Sequence, residues 1–150
     1  MELDINEINI KNKTYKYLGS GSGRRVFDLT DGTVIKIARN KRGIAQNQVE
    51  YEISSVDSTQ LFAKVLYASE DFNFIIMERA ERIKHISYVY KYFNVRSISR
   101  LREIKEIKES LSKYNLLIAD LSRSVNWGKI NDRPVIIDYG FTREVKKRFY

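Results

Sequence analysis

Residues 16–39 read KYLGSGSGRRVFDLTDGTVIKIAR, and the reading of the fold turns on them. Gly19, Gly21 and Gly23 stand at every second position and are followed at once by Arg24 and Arg25. Glycine is needed where the backbone takes positive φ or where something must approach it closely. A run of N–H groups in such a loop also makes an anion-binding concavity. The stretch is therefore a phosphate loop or a flexible hairpin tip, and the residues after it decide between the two. Residues 24–39 read as two strands around a tight turn. Asp31-Gly32 is the hairpin signal, because a type I′ turn needs positive φ at both central residues. Val34 and Lys36 alternate with Ile35 and Ile37, so Lys36 points to the face opposite the two isoleucines. A strand after the glycines argues against a dinucleotide-binding βαβ unit, where a helix comes directly after the loop. The sequence has no Gly-Lys-Ser/Thr after the loop, so it is not a Walker loop either.

Further along, GIAQNQVEYEISSV (43–56) carries Ile44, Val49, Ile53 and Val56 at near-helical spacing and predicts a helix. LFAKVLYA (61–68) and FNFIIMERA (72–80) read as a strand pair with SEDFN at the turn. HISYVYKYFNV (85–95) fits a helix by spacing and a strand by its β-branched and aromatic content. From Ser97 to Tyr114 one apolar stripe, from Ile98 through Leu101, Ile104, Ile107 and Leu111, predicts a single helix of about five turns. RPVIIDYGF (133–141) reads as a short buried strand entering a glycine turn. The expected class is α+β, an N-terminal antiparallel sheet with one helix followed by a reduced, mainly helical half. The expected organisation is a single domain over 1–150, divided near residue 80.

Composition narrows the chemistry. At 150 residues the chain is long enough to bury roughly 70% of its unfolded surface. It has no cysteine, which excludes disulfides and thiolate catalysis, and one histidine, His85, which excludes an ordinary zinc site. His85 has no nucleophile motif beside it and reads as a surface residue. The opening MELDINEINI is acidic and does not read as a secretory signal. No stretch approaches the ~20 apolar residues of a membrane span. A cytoplasmic location without membrane partners is the expectation. The net charge is +8, and residues 76–150 hold all of it, with 17 Lys and Arg against 9 Asp and Glu. That half is either a solvated charged surface or a face for an anionic partner.

Five features then fall in one order: the glycine loop between strands, Lys36 in VIKIA, Glu50 or Glu52 on a helix, Asp120 and Asn126 in ADLSRSVNWG, and Asp138 in IDYG. Together they resemble the signature set of the protein-kinase-like superfamily, over about Tyr17–Phe141. The resemblance implies an ATP- and Mg²⁺-dependent phosphotransferase of minimal kinase-like type, acting on Ser/Thr hydroxyls of a protein or on a small-molecule hydroxyl. Gly19, Ser20, Gly21, Ser22 and Gly23 would lie over the phosphates, with Val26 beyond them. Lys36 would pair with the phosphates while a helix glutamate holds it; Glu50 is preferred and Glu52 is the alternative. Met77 would border the adenine, with the Glu78 carbonyl and Ala80 N–H on its edge. Asp138 and Asn126 would hold the metal, and Asp120 would be the base.

The chain also departs from the pattern. Arg24 stands where a third glycine usually lies, and the two arginines would reach phosphates or crowd them. Ile118-Ala119 replaces the common His-Arg, and ADLS resembles the RIO-type and other atypical kinases. Asn126 falls one residue late, which requires a bulge. Tyr139 replaces phenylalanine. Ten residues follow Gly140, too few for a long activation segment or a peptide-binding helical platform. Two other readings stand beside the enzyme: a pseudokinase that binds nucleotide and holds a partner on its basic half, and a nucleic-acid-associated protein. Only the aromatic-basic run Tyr88–Phe93 supports the last, and a core reading of those residues is preferred.

Overall fold

A computed structural model of the chain describes residues 15–149; the opening MELDINEINI lies outside them. The hairpin forms from β2 (Arg24–Asp28) and β3 (Thr33–Ala38), with Val26 opposite Lys36 and Phe27 opposite Ile35. Its turn differs from the expected type I′. Four residues connect the strands, and positive φ falls on Thr30 (61°) and Gly32 (88°) rather than on Asp31 and Gly32. Asp31 instead accepts the Thr33 N–H at 3.0 Å, a local bond that suits a longer turn.

With β1 (Lys16–Ser20), β4 (Val65–Ala68) and β5 (Phe74–Glu78), the hairpin builds an antiparallel sheet in the order β1-β2-β3-β5-β4. Ile35 and Ile37 point to one face, in a cluster with Phe27, Leu29, Phe74 and Ile76. Lys36 points to the other, where α1 (Lys41–Val56) is attached through its side chains. The helix is where it was expected, but its buried face is not the predicted apolar stripe. Gly43, Gln46, Asn47, Glu50 and Ile53 are buried, while Val56 is 61% exposed. That spacing is one helical face, and most of it is polar.

These elements, within residues 15–55 and Lys64–Arg79, form one compact unit; Val56–Ala63 and residues 80–149 form a second. The second unit holds a three-stranded antiparallel sheet of β6 (Glu81–Arg82), β7 (Trp127–Ile130) and β8 (Arg133–Ile136). Its helices are short: α2 (Ser87–Tyr92), α3 (Ile98–Leu101), α4 (Lys105–Lys113), α5 (Ile118–Leu121) and α6 (Arg143–Phe149). The ambiguous run at 85–95 is thus helical, with Val89 buried. The single helix expected over 97–114 is two. Ile104 takes an extended conformation (ψ 127°) and starts α4 afresh, and Leu101 and Ile107 are both fully buried on either side of the break. Trp127, Val135 and Ile136 of the sheet are buried as well. Among the described residues no helix is long and apolar enough to cross a membrane.

Candidate functional site

In the first unit the glycine loop is tied to the chain around α1. Arg39 donates through its backbone N–H to the Gly23 carbonyl (2.7 Å) and through Nη1 to that of Gly21 (3.0 Å). Asn40 Nδ2 donates to the Ser22 carbonyl (2.9 Å). Two of the three glycines have distinct physical reasons. Gly19 has φ 152°, a conformation that L side chains rarely adopt. At Gly23 a Cβ would lie 2.7 Å from Gln46 Oε1 and 3.1 Å from the Gly43 nitrogen, so the loop's end touches the helix backbone. Gly21 has open space beside it, and Ser20 and Ser22 are exposed.

Beneath this loop Lys36 Nζ donates to Glu50 Oε1 at 2.9 Å, with both residues buried. Glu52 lies on the exposed side of the helix and accepts from Gln48 Nε2 at 3.0 Å. Arg24 was read as a phosphate ligand or an obstruction. The structure turns it inward instead, onto Glu50, which it meets with Nη1 at 2.7 Å and Nη2 at 3.0 Å. Arg25 is exposed and lies over the Phe27 ring. Burial by itself would raise the Glu50 carboxyl, but the charges and hydrogen bonds of Arg24 and Lys36 outweigh it and hold it at about 2, below the usual 4.5. Val26 is half-buried beside Lys36. Met77 is buried in β5 opposite Val34. Glu78 is fixed from both ends, its N–H donating to the Lys64 carbonyl (2.9 Å) and its Oε1 accepting the Lys64 N–H (2.8 Å).

The second unit gathers the other candidates. Ala80 opens it, close enough to β7 that a Cβ on Gly128 would meet the alanine methyl. Asp120 lies in α5, and a 3-10 turn at Ser124–Asn126 leads into β7. Asn126 Nδ2 donates to the Asp120 carbonyl at 2.8 Å, and the Asn126 carbonyl accepts the Ile137 N–H at 2.9 Å, one residue before Asp138. Asn126 is therefore bonded to Asp120 and to the residue before Asp138. Burial, and after it the charge of Asp138, pushes the Asp120 carboxyl up, against the opposing pull of Arg123 and Lys146. Asp138 itself is exposed. Tyr139 is buried, donates its hydroxyl to the Ala63 carbonyl at 2.6 Å and packs edge-on against Phe62, which anchors the chain beside Asp138.

Sequence reasoning missed Asn47 and the anchoring roles of Tyr139 and Trp127. Trp127 is fully buried and donates Nε1 to the Leu121 carbonyl at 3.0 Å, fastening the Asp120 segment. The signal for Asn47 was its place three residues before Glu50 on one helical face. Among the described residues no group of three or more His, Cys, Asp or Glu side chains converges as a metal site would require. Asp138 and the Asn126 amide oxygen nonetheless suit Mg²⁺. That ion takes hard oxygen ligands and commonly only one or two carboxylates, with phosphates and water completing its shell.

Neither a family model nor a curated protein matches the sequence. Solved structures match in fold. The ternary complex of streptomycin, ATP and APH(2'')-IIa is 17% identical and aligns over 93% of this chain and 71% of that one, with a TM-score of 0.51. The ADP-bound aminoglycoside phosphotransferase APH(2'')-Ib is 16% identical over 92% of this chain and 71% of that one (TM-score 0.49). The Mycobacterium tuberculosis PknI kinase domain is 16% identical over 86% of this chain and 59% of that one (TM-score 0.49). The first likeness, with the five-stranded sheet and its helix, identifies the fold as protein-kinase-like and α+β.

Proposed function

We propose that the chain is an ATP- and Mg²⁺-dependent phosphotransferase, its acceptor a Ser or Thr hydroxyl of a protein. The observation that carries the reading is the buried 2.9 Å pair between Lys36 and Glu50 beneath a glycine loop. A buried ammonium requires a reason, because its desolvation is costly even when paired. A phosphate chain supplies one. Backbone groups of residues 19–23 lie over the phosphates, and Lys36 binds the α- and β-phosphates while Glu50 holds it in place. Met77 borders the adenine, whose edge meets the backbone of Glu78 and Ala80. Asp138 and Asn126 would hold Mg²⁺, which would supply positive charge against that developing on the phosphates. Asp120 orients the acceptor hydroxyl and takes its proton as the oxygen forms its bond to the γ-phosphorus; the bond to the β-phosphate oxygen breaks and ADP leaves. Its raised carboxyl suits a proton acceptor.

Radiolabelled ATP, incubated with the protein and with separated protein and small-molecule fractions of a cell extract, tests the reading. Label is expected in the protein fraction. Lys36→Ala is expected to lose Mg·ATP affinity and transfer together. Asp138→Asn is expected to lose Mg²⁺-dependent affinity. Asp120→Asn is expected to bind Mg·ATP like wild type while transferring ~10²–10⁴-fold more slowly. Label only in the small-molecule fraction would move the acceptor class. Mg·ATP binding with no transfer to any fraction would make the chain a pseudokinase.

A further inference from the structure

Arg24 is a buried charge that the proposed reaction does not use. It is 6% exposed and begins β2 directly after Gly23. Its guanidinium takes both oxygens of Glu50, at 2.7 and 3.0 Å, and its Nη1 also donates to Asn47 Oδ1 at 3.1 Å. Asn47, fully buried, donates onward to the Phe72 carbonyl in the β4–β5 turn at 2.8 Å. Arg24 and Asn47 together thus join the end of the glycine loop, the helix and that turn. Arginine and lysine act differently here. The planar fork spans both carboxylate oxygens and fixes the carboxylate's rotation, whereas the Lys36 ammonium is a point donor that meets Glu50 at Oε1. The geometry of the Lys36 contact is therefore set by where Arg24 holds Glu50.

We propose that Arg24 is the positioning residue of this site: it clamps Glu50, with Asn47 behind it, so that the Lys36–Glu50 pair stands formed before any nucleotide binds. The consequence for nucleotide rests on the phosphotransferase reading; the clamp itself does not. A helix glutamate held by lysine alone would leave α1 able to swing between paired and unpaired arrangements. The ligand would then have to select the paired one, and apparent affinity would fall by the fraction of molecules not in it.

Arg24→Lys, which keeps the charge and loses the fork, and Arg24→Met, which keeps only the length, test this. Amide hydrogen exchange is measured across the chain with and without Mg·ATP. The Glu50 carboxyl is followed by carbon NMR through acid, and Mg·ATP affinity is measured by calorimetry. Charged hydrogen bonds are strong enough that their loss should speed α1 exchange by about 10–100-fold. In Arg24→Lys the α1 amides are expected to exchange that much faster while β3 and β5 keep their protection. Glu50 should titrate at higher pH than in wild type, Mg·ATP affinity should fall by about tenfold, and added Mg·ATP should restore α1 protection. Arg24→Met is expected to show the same changes more strongly.

Wild-type exchange and wild-type Glu50 titration in both variants would overturn the proposal. So would loss of protection throughout the sheet in Arg24→Lys, which would make the arginine a general structural residue. If the wild-type protein binds no Mg·ATP, the phosphotransferase reading fails, while the exchange and titration results still decide whether Arg24 positions Glu50.

Discussion

At the scale of single residues, two glutamates two positions apart on α1 have opposite environments. Glu50 is fully buried between Arg24 and Lys36, and Glu52 is exposed beside Gln48. Removing the charge of Glu50 takes a shared counter-charge from two buried cations, and breaking a buried pair typically costs about 3–5 kcal/mol. Removing that of Glu52 touches an exposed amide bond and should stay within about 0.5 kcal/mol. Acid separates them further. The Glu50 carboxyl sits at about 2 in the folded chain against 4.5 when unperturbed. Its stabilising charge is therefore complete above the unperturbed value and is lost as pH falls from there towards about 2. The loss is on the order of 3 kcal/mol. Urea unfolding of wild type, Glu50→Gln and Glu52→Gln at pH 7 and pH 3 is expected to show Glu52→Gln overlaying wild type. Glu50→Gln should start lower and lose less on acidification. The reverse order would assign the buried carboxylate to Glu52.

At the scale of elements, the legible parts of the sequence were those where burial and hydrophobicity coincide. Ile35 and Ile37 alternate with Lys36, and the sheet face is set by that alternation. On α1 the two part company. Ile44, Val49, Ile53 and Val56 looked like the inward stripe, yet the inward face is Gly43, Gln46, Asn47, Glu50 and Ile53. Hydrophobic periodicity cannot find a face that is buried for hydrogen bonding rather than for its oil, so Arg24 and Asn47 escaped it. The break at Ile104 was hidden for a different reason: the apolar spacing continues through it, and only the backbone changes. The α1 face also carries its own test. A Cβ on Gly43 would run into the Gly23 carbonyl, a backbone atom with no rotamer to escape into. Gly43→Ala adds helix propensity yet forces the helix off the glycine loop. The expected net change is a loss of about 1–3 kcal/mol, as for other overpacked sites, seen as a lower urea midpoint with an unchanged slope. A stabilised Gly43→Ala would mean that the helix stands clear of the loop.

At the scale of the whole molecule, charge and the candidate chemistry divide differently. Residues 1–75 are balanced, and residues 76–150 carry the entire +8. Much of it is exposed: Lys105, Lys108 and Lys113 on α4, and Arg143, Lys146, Lys147 and Arg148 on α6. Part of this has a local reason, since Lys146, Lys147 and Arg148 occupy the last turn of α6, where cations offset the helix dipole. Such a surface attracts any polyanion without choosing among them. Tyr88 of the 88–93 run is covered by Lys129 and bonded to the Asp132 carbonyl, while Tyr92 is 51% exposed, so the preferred core reading of the run fails at that residue. Binding of nucleic acid to this basic surface should be mainly electrostatic. A protein contacting about six phosphates or more loses roughly 10³-fold or more in affinity between 50 and 200 mM salt. Anisotropy with labelled duplex and single-stranded DNA of two unrelated sequences is expected to show such a loss and no sequence preference. On the phosphotransferase reading Mg·ATP would meet a buried lysine, where salt screens far less, and should keep most of its affinity over the same range. DNA binding that survived 200 mM salt and discriminated between sequences, in a chain whose Mg·ATP binding did not survive it, would make nucleic acid the ligand and leave the kinase-like fold as scaffold alone.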